Sequence, residues 1–192
     1  MTRETRATDV HAAPILRLAR LEEADAIEAV MKASTADLFP SYYDAAQTAA
    51  SVRYVASVDR TLIEDGTYFV LEADGELVTC GGWSRRDRLY TGSGHAAEDT
   101  RILDPATEPA RVRAMFVRSD WTRRGLGTRI LKACEAAART EGYRTLALVA
   151  TLPGLPLYER YGFRMSEPRE VRMPDGTTIP CAAMEKPISR GD

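Results

Sequence analysis

The stretch Trp121-Thr-Arg-Arg-Gly-Leu-Gly-Thr-Arg129 lies between a predicted strand and a predicted helix. Before it, Val112–Val117 alternates and is rich in β-forming residues, which predicts a strand. After it, apolar residues recur at helical spacing, at Leu126, Ile130, Leu131, Cys134, Ala137 and Ala138. The sequence therefore predicts a strand, a glycine-bearing basic loop and an amphipathic helix in direct succession.

The basic loop, residues 122–127, has the features of an anion site. The first N–H groups of a helix have no internal acceptor, and the helix dipole places partial positive charge there. Gly125 and Gly127 let the backbone come close to a ligand. Arg123 and Arg124 add two guanidinium groups that can pair with phosphate oxygens. The alternative is a solvated basic turn before an ordinary surface helix.

Two other phosphate-binding motifs do not fit this loop. A P-loop requires a Gly-Lys pair, and the chain contains none. A dinucleotide fingerprint requires a third glycine, and Ile130 stands at that position.

The segment that follows the helix carries a resemblance to a known family. Thr145–Ala150 is a compact apolar run of strand length, and residues 151–163 follow it. Together with the basic loop, this order resembles the acetyl-CoA-binding half of the GNAT superfamily of N-acetyltransferases. In that family a Gln/Arg-x-x-Gly-x-Gly/Ala loop is followed by an Asn-x-x-Ala-x-x-x-Tyr-x-x-x-Gly-Phe segment. The resemblance covers about residues 111–163 closely.

This chain matches the second motif at Tyr158, Gly162 and Phe163. It departs from the motif where Thr151 replaces Asn and Gly154 replaces Ala, which affects details of pantetheine contact. In the basic loop, Thr122 replaces the Gln or Arg of the family, and the adjacent arginines could supply the lost contact.

The resemblance implies an α/β (α+β) fold in a single domain, with a mixed central sheet of about seven strands flanked by about four helices. We expect a flexible tail over residues 1–12 and the domain over 13–190. Residues 13–110 would form the acceptor-side half, including a loop over 85–110. Residues 111–163 would bind acetyl-CoA, and 164–190 would form a C-terminal hairpin.

The resemblance also implies acetyl-CoA as cosubstrate, and the spacing of the cysteines predicts no structural metal. The resemblance carries the cofactor contacts onto Met115, Phe116, Val117, Arg123, Arg124, Gly125, Leu126, Gly127, Thr128 and Tyr158. A backbone amide of Met115–Val117 would stabilise the oxyanion, and Tyr158 would protonate the leaving thiolate. Tyr158 could instead simply pack beside Leu155 and Leu157.

The rest of the chain is predicted from local patterns. Ile15–Leu18 is a strand, and helices are expected from Leu21 to about Asp37 and from Asp44 to about Ile63. Hairpins are predicted at Asp74-Gly75 and at residues 174–176. Gly81 and Gly82 indicate a bulge or a close backbone approach within the second strand of the first hairpin.

The sequence offers several candidates for the residues that contact the acceptor and for the general base, and it does not select among them. Tyr42 and Tyr43 are candidate substrate contacts, although loop aromatics are as often packing residues. The loop 85–110 is expected to be a functional flap or an ordered surface loop on the substrate side. It offers His95, Asp104 and Glu108 as possible bases acting through water, unless the amine is deprotonated on entry.

Composition limits the class of protein. The chain has 192 residues, 44% hydrophobic and 28% charged, as expected for one globular domain. A net charge of −2 argues against nucleic acid as a partner, and the arginine clusters are the sole support for such a partner.

The first ten residues have neither a signal peptide nor a membrane anchor pattern. Cys80, Cys134 and Cys181 lack metal-ligand spacing and are interpreted as buried hydrophobes of a reduced, cytoplasmic protein.

The function expected from these observations is acetyl-CoA-dependent N-acetyl transfer by direct attack of a primary amine on the thioester. The acceptor could be a small molecule or a peptide amine, and a homodimer is one assembly to consider. The alternative from another class is a CoA-binding sensor or regulatory module without turnover.

Overall fold

The computed structural model describes residues 13–87 and 101–189. The strands are β1 (Ile15–Leu18), β2 (Tyr68–Ala73), β3 (Glu76–Ser84), β4 (Ala110–Val117), β5 (Thr145–Thr151), β6 (Arg164–Arg172) and β7 (Thr178–Pro187). The helices are α1 (Ala24–Leu38), α2 (Ala45–Ala50), α3 (Arg60–Glu64), α4 (Leu126–Thr140) and α5 (Leu155–Tyr161). The expected α/β class with a mixed central sheet is confirmed.

The described strands form one seven-stranded sheet in the order β1-β2-β3-β4-β5-β7-β6. β4 and β5 run parallel, and the other neighbouring pairs run antiparallel. The turn between β2 and β3 has φ of 52° at Asp74 and 81° at Gly75, the paired left-handed conformation that suits a two-residue hairpin. Both predicted hairpins are confirmed.

The second predicted helix, from Asp44 to Ile63, is wrong as a single element. The structure has α2, then a π-helical turn over Ser51–Val55, then a short stretch outside any helix, then α3. The break has a local cause, because the Asp59 carboxylate accepts a hydrogen bond from the Thr61 N–H at 3.1 Å and caps a new helix there. The helical pattern of the sequence continues across the break, so the pattern predicted one helix where the structure has two.

The sheet is covered on both faces. On one face α4 buries the apolar residues predicted for it, which pack in a core that also contains Trp83 and Tyr143. On the other face α1 and α3 pack over β2 and β3, in a core that includes Tyr68 and Phe116. A third cluster joins the segment after α1 to the hairpin β6–β7, and its members are Phe39, Tyr43, Ala50, Val171, Met173, Ile179 and Cys181.

The described ends of the loop 85–110 are held together near the C-terminal end of α4. The N–H of Leu103 donates to the Arg85 carbonyl at 2.8 Å, and the Tyr143 hydroxyl donates to the Leu103 carbonyl at 3.2 Å. Glu108 accepts two hydrogen bonds of 2.8 Å from Arg101. The two described ends of the loop are thus held by hydrogen bonds to the core and by ion pairs on the surface. The part of the loop that contains His95 lies outside the described residues.

Tyr43 fastens the segment after α1 to the sheet. Its hydroxyl donates to the Pro180 carbonyl at 2.8 Å and accepts from the Leu152 N–H at 2.8 Å. Burial raises the pKa of Tyr43, so the hydroxyl keeps the proton that it donates. Tyr43 is therefore a structural link between three distant parts of the chain, while the adjacent Tyr42 is 49% exposed.

We expect Tyr43→Phe to lower the free energy of unfolding by about 1–3 kcal/mol, because it leaves the partly buried Leu152 N–H without its acceptor. Chemical denaturation would measure the change. Tyr42→Phe is the matched control and should change stability by less than about 0.5 kcal/mol. Equal effects of the two substitutions would contradict the assignment.

Candidate active site

The site begins where two neighbouring strands separate. β4 and β5 are paired at Ala110–Leu146 and at Arg111–Ala147, and within the described residues the pairing stops there. A cavity of about 820 Å³ occupies the gap beyond. We call it the central cavity. It is lined by β4, the basic loop, the first turn of α4, α5, and the residues that follow α1 and β6.

A bulge in β4 shapes one side of the gap. Cys80 of β3 pairs with Phe116 and Gly82 pairs with Arg113, so that Ala114 and Met115 together oppose a single residue of β3. Ala114 has φ of 51°, a left-handed conformation that costs an alanine about 1–2 kcal/mol. The Tyr68 hydroxyl donates to the Ala114 carbonyl at 2.7 Å and holds it in place. The bulge expected near Gly81 and Gly82 is confirmed.

The three β4 residues predicted to contact the cofactor all line the central cavity: Met115, Phe116 and Val117. The N–H of the next residue, Arg118, donates to the Val78 carbonyl of β3 at 3.0 Å. Because successive N–H groups of a strand point to opposite edges, the Val117 N–H is directed toward the gap. A backbone donor is thus available on the cavity side of β4.

The first turn of α4 offers further donors to the same cavity. The N–H of Arg129 donates to the Gly125 carbonyl at 3.1 Å, which is the first bond of the helix. The N–H groups of Leu126, Gly127 and Thr128 therefore have no acceptor within the helix, and no side chain caps them. Gly125 reaches this position with φ of 77°, which glycine adopts without strain.

The two arginines of the basic loop are placed differently. Arg123 lines the central cavity. The Arg124 guanidinium lies 4.5 Å from the centroid of the Trp121 ring and donates to the Asp120 carbonyl at 3.2 Å, and it is not among the described lining residues. Sequence alone could not separate the two arginines, because they are adjacent and both precede Gly125.

Gly127 also has a packing role that its spacing did not reveal. A Cβ at Gly127 would lie 2.8 Å from Leu157 Cδ2 of α5. A Cβ at Gly154 would lie 2.8 Å from Cε2 of Tyr158. These two glycines let α5 approach the first turn of α4 and let the tyrosine ring pack against the turn before α5.

Tyr158 is buried and lines the central cavity, 8% exposed, with its ring against Phe163 at a centroid distance of 5.7 Å. Its hydroxyl has no hydrogen-bond partner among residues 13–87 and 101–189. Burial raises the pKa of Tyr158. The phenol therefore stays protonated at neutral pH and can donate a proton or a hydrogen bond.

An ion pair that sequence reasoning missed positions α5. The Tyr161 hydroxyl donates to Glu135 of α4 at 2.6 Å, and Lys186 of β7 donates to the other carboxylate oxygen at 2.6 Å. Burial alone would raise the pKa of Glu135, but these two hydrogen bonds lower it. Helix spacing placed Glu135 on the exposed side of α4, and only the tertiary structure gives it partners.

A second buried ion pair lies in the wall of the cavity. Arg113 of β4 donates to Asp59 at 2.9 Å, and both side chains are almost fully buried. Arg113 lines the central cavity. The residues are far apart in sequence, so no local pattern could have paired them.

The acids considered as general bases are not in the cavity. Asp104 accepts from the Ala106 N–H at 3.0 Å and, like Glu108, stabilises the end of its loop. Among the described residues that line the cavity, Asp37 is the one carboxylate, and it accepts from the Ser119 hydroxyl at 2.5 Å. Tyr42 also lines the cavity.

The three cysteines are free and buried, as predicted. Burial raises the pKa of Cys80 and of Cys181 to about 12 and also raises that of Cys134. Of the three, Cys181 lines the cavity. A thiol with so high a pKa is a poor nucleophile at neutral pH.

Comparison with known proteins gives the family. A protein-family model, described as the acetyltransferase (GNAT) domain, matches residues 64–165 of the sequence, which is more than half of the chain. The chain belongs to the GNAT acetyltransferase family. No curated protein sequence matches it. The family assignment agrees with the resemblance carried by the basic loop and the segment around Tyr158.

Solved structures share the GNAT fold over most of this chain. A GCN5-related N-acetyltransferase from Rhodopseudomonas palustris is 19% identical, covers 94% of this chain and 99% of its own, and has a TM-score of 0.69. PaiA N-acetyltransferase from Thermoplasma acidophilum, in complex with coenzyme A, is 14% identical, with coverages of 92% and 99% and a TM-score of 0.62. YncA from Salmonella typhimurium, solved with acetyl-CoA, is 14% identical, with coverages of 94% and 97% and a TM-score of 0.61.

Within the described part of this GNAT chain, no helix is long and apolar enough to span a membrane. Residues 13–87 and 101–189 also contain no cluster of three or more His, Cys, Asp or Glu side chains suited to hold a metal ion.

We expect Cys181→Ala to keep kcat within about threefold of wild type, because a buried thiol with a raised pKa supplies no thiolate. Steady-state release of CoA thiol would measure it, and Cys80→Ala, away from the cavity, is the control. An acetyl group found on Cys181 by mass spectrometry would contradict the prediction and indicate a covalent intermediate.

Proposed function

We propose that this protein transfers an acetyl group from acetyl-CoA to a primary amine by direct attack of the amine on the thioester. One observation carries the proposal. The uncapped first turn of α4 and the buried, protonated Tyr158 line the same cavity, which opens between β4 and β5. Anion-binding amides and a proton donor are thereby combined in one site.

The residues present fit the cosubstrate. The pyrophosphate would bind the N–H groups of Leu126, Gly127 and Thr128, with Arg123 as an additional partner. The pantetheine would follow β4, whose edge lacks a strand partner beyond Arg111 in the described structure. PaiA and YncA, which share the fold, were solved with coenzyme A and acetyl-CoA, and this supports the same donor here.

The chemistry follows from these positions. The amine nitrogen attacks the thioester carbonyl, a C–N bond forms, and the developing oxyanion is stabilised by a backbone amide of Met115–Val117. The C–S bond then breaks, and Tyr158 protonates the thiolate. The proton lost by the nitrogen balances the proton gained by sulfur, so an amine that enters neutral requires no net proton uptake.

A sensor without turnover is the second candidate. The observation that favours it is the scarcity of acids, since Asp37 is the one carboxylate among the described lining residues and is already bonded to Ser119. A sensor would bind CoA and acetyl-CoA equally and release no thiol with any amine.

We also propose a cytoplasmic location, supported by three cysteines that are buried and free. The homodimer stays a prediction.

We expect Arg123→Ala to raise the Kd for acetyl-CoA by about 10-fold, the loss of one charged hydrogen bond. Arg124→Ala is the matched control, with an effect below about threefold, because its guanidinium already lies over Trp121. Calorimetry on both variants would measure this. A larger effect at Arg124 than at Arg123 would overturn the assignment of the two side chains.

We expect Tyr158→Phe to lower kcat by roughly 10²–10⁴-fold, the usual contribution of general acid catalysis, while leaving the Kd for acetyl-CoA unchanged. The substitution keeps the ring contact with Phe163 and removes the hydroxyl. Tyr143→Phe, which removes a tyrosine hydroxyl bonded to the Leu103 carbonyl at a residue that does not line the cavity, is the control. Wild-type turnover by the Tyr158 variant would show that the proton comes from elsewhere.

A further inference from the structure

The central cavity has two chemically different halves. The half beside α4 is lined by backbone amides and Arg123. The other half contains six apolar side chains that belong to the third hydrophobic cluster or pack against it, beside the polar Ser34, Ser41 and Tyr42. The apolar ones are Leu38, Phe39, Val55, Val171, Met173 and Ile179. We call this half the apolar pocket.

The apolar pocket is held in shape from both sides. One wall follows α1 and the other belongs to the hairpin β6–β7. The Tyr43 hydroxyl joins them by bonding the Pro180 carbonyl of β7 at 2.8 Å and the Leu152 N–H after β5 at 2.8 Å. The Phe39 ring packs on the Tyr43 ring at a centroid distance of 5.3 Å, which links Phe39 to the same two walls. A ligand would therefore meet a preformed wall.

The charges around the cavity disfavour a ligand with several positive groups. Among the described lining residues, three are arginines and Asp37 is the one acid. Asp59 already balances the charge of Arg113 at 2.9 Å. A polycation that entered this cavity would lose the hydration of several ammonium groups. One carboxylate would be available to compensate for that loss.

We propose that the apolar pocket binds the acceptor, and that the acceptor is a small amine with a single positive charge on an apolar body. The proposal rests on the proposed acetyltransferase function. The amino group would face the gap between β4 and β5, and the apolar body would pack against Phe39, Val171 and Met173. Polyamines and aminoglycoside-like amines would be poor acceptors.

The first test compares acceptors. CoA release from acetyl-CoA is measured with 2-phenylethylamine, 3-methylbutylamine and spermidine under identical conditions. We expect kcat/KM for the two apolar amines to exceed that for spermidine by at least about 10-fold, the discrimination typical of a methylene or more of apolar contact. Equal or faster turnover of spermidine overturns the acceptor proposal alone. Absence of release with every amine, while acetyl-CoA still binds, contradicts the proposed function instead.

The second test changes the wall. Val171→Thr keeps the shape of the side chain and adds a hydroxyl, so KM for 2-phenylethylamine should rise by about 3–10-fold while the Kd for acetyl-CoA stays constant. Met173→Glu should shift the preference toward spermidine by at least about 10-fold, because it places a carboxylate in the pocket. Met165→Glu is the matched control on the same hairpin, since Met165 is 50% exposed and Met173 is 4% exposed.

An unchanged KM in Val171→Thr overturns the proposal. So does an unchanged preference in a folded Met173→Glu variant. If Met173→Glu does not fold, the isosteric Val171→Thr variant still decides the question, because its effect is measured on KM with donor affinity as the internal reference.

Discussion

The separation of β4 from β5 after Arg111 and Ala147 is the constraint on which the rest of this structure depends. A strand edge inside a protein leaves N–H and C=O groups without partners, and such groups are costly to bury unless a ligand or water satisfies them. The left-handed Ala114 in the bulge adds strain at the same place. The proposed transfer accounts for this cost, because it requires the amides that the gap exposes.

The surroundings of the gap depend on close approaches that only glycine permits. Gly127 lets Leu157 pack on the first turn of α4, and Gly154 lets the Tyr158 ring pack on the preceding turn. The ion pair of Glu135 and Lys186, together with the Tyr161 hydroxyl, then holds α5 in that position. The proposed proton donor, Tyr158, is thus held on a helix by packing, and the hydrogen bonds of Glu135 hold that helix in place.

The proposed CoA-binding side of the cavity could be predicted from the sequence, whereas the contacts that shape the apolar pocket could not. Residues 111–163 contribute strand, loop, helix and strand in succession, so local spacing carries the information. The apolar pocket instead joins the end of α1 to the hairpin β6–β7 through Tyr43, a contact between residues far apart in the chain. The Arg113–Asp59 pair was missed for the same reason, since it joins distant parts of the chain. The break before α3 was missed because its cause is the local cap by Asp59, which helical periodicity does not report.

The proposed donor site consists of the backbone amides that line the gap, and amide NMR tests this site most directly. In a titration of the ¹⁵N-labelled protein with acetyl-CoA, the largest shift changes are predicted at Val117, Leu126, Gly127 and Thr128. These amides line the cavity, and within α4 those of the first turn have no helical acceptor. Changes concentrated away from the central cavity, with these four amides unmoved at saturation, would contradict the account.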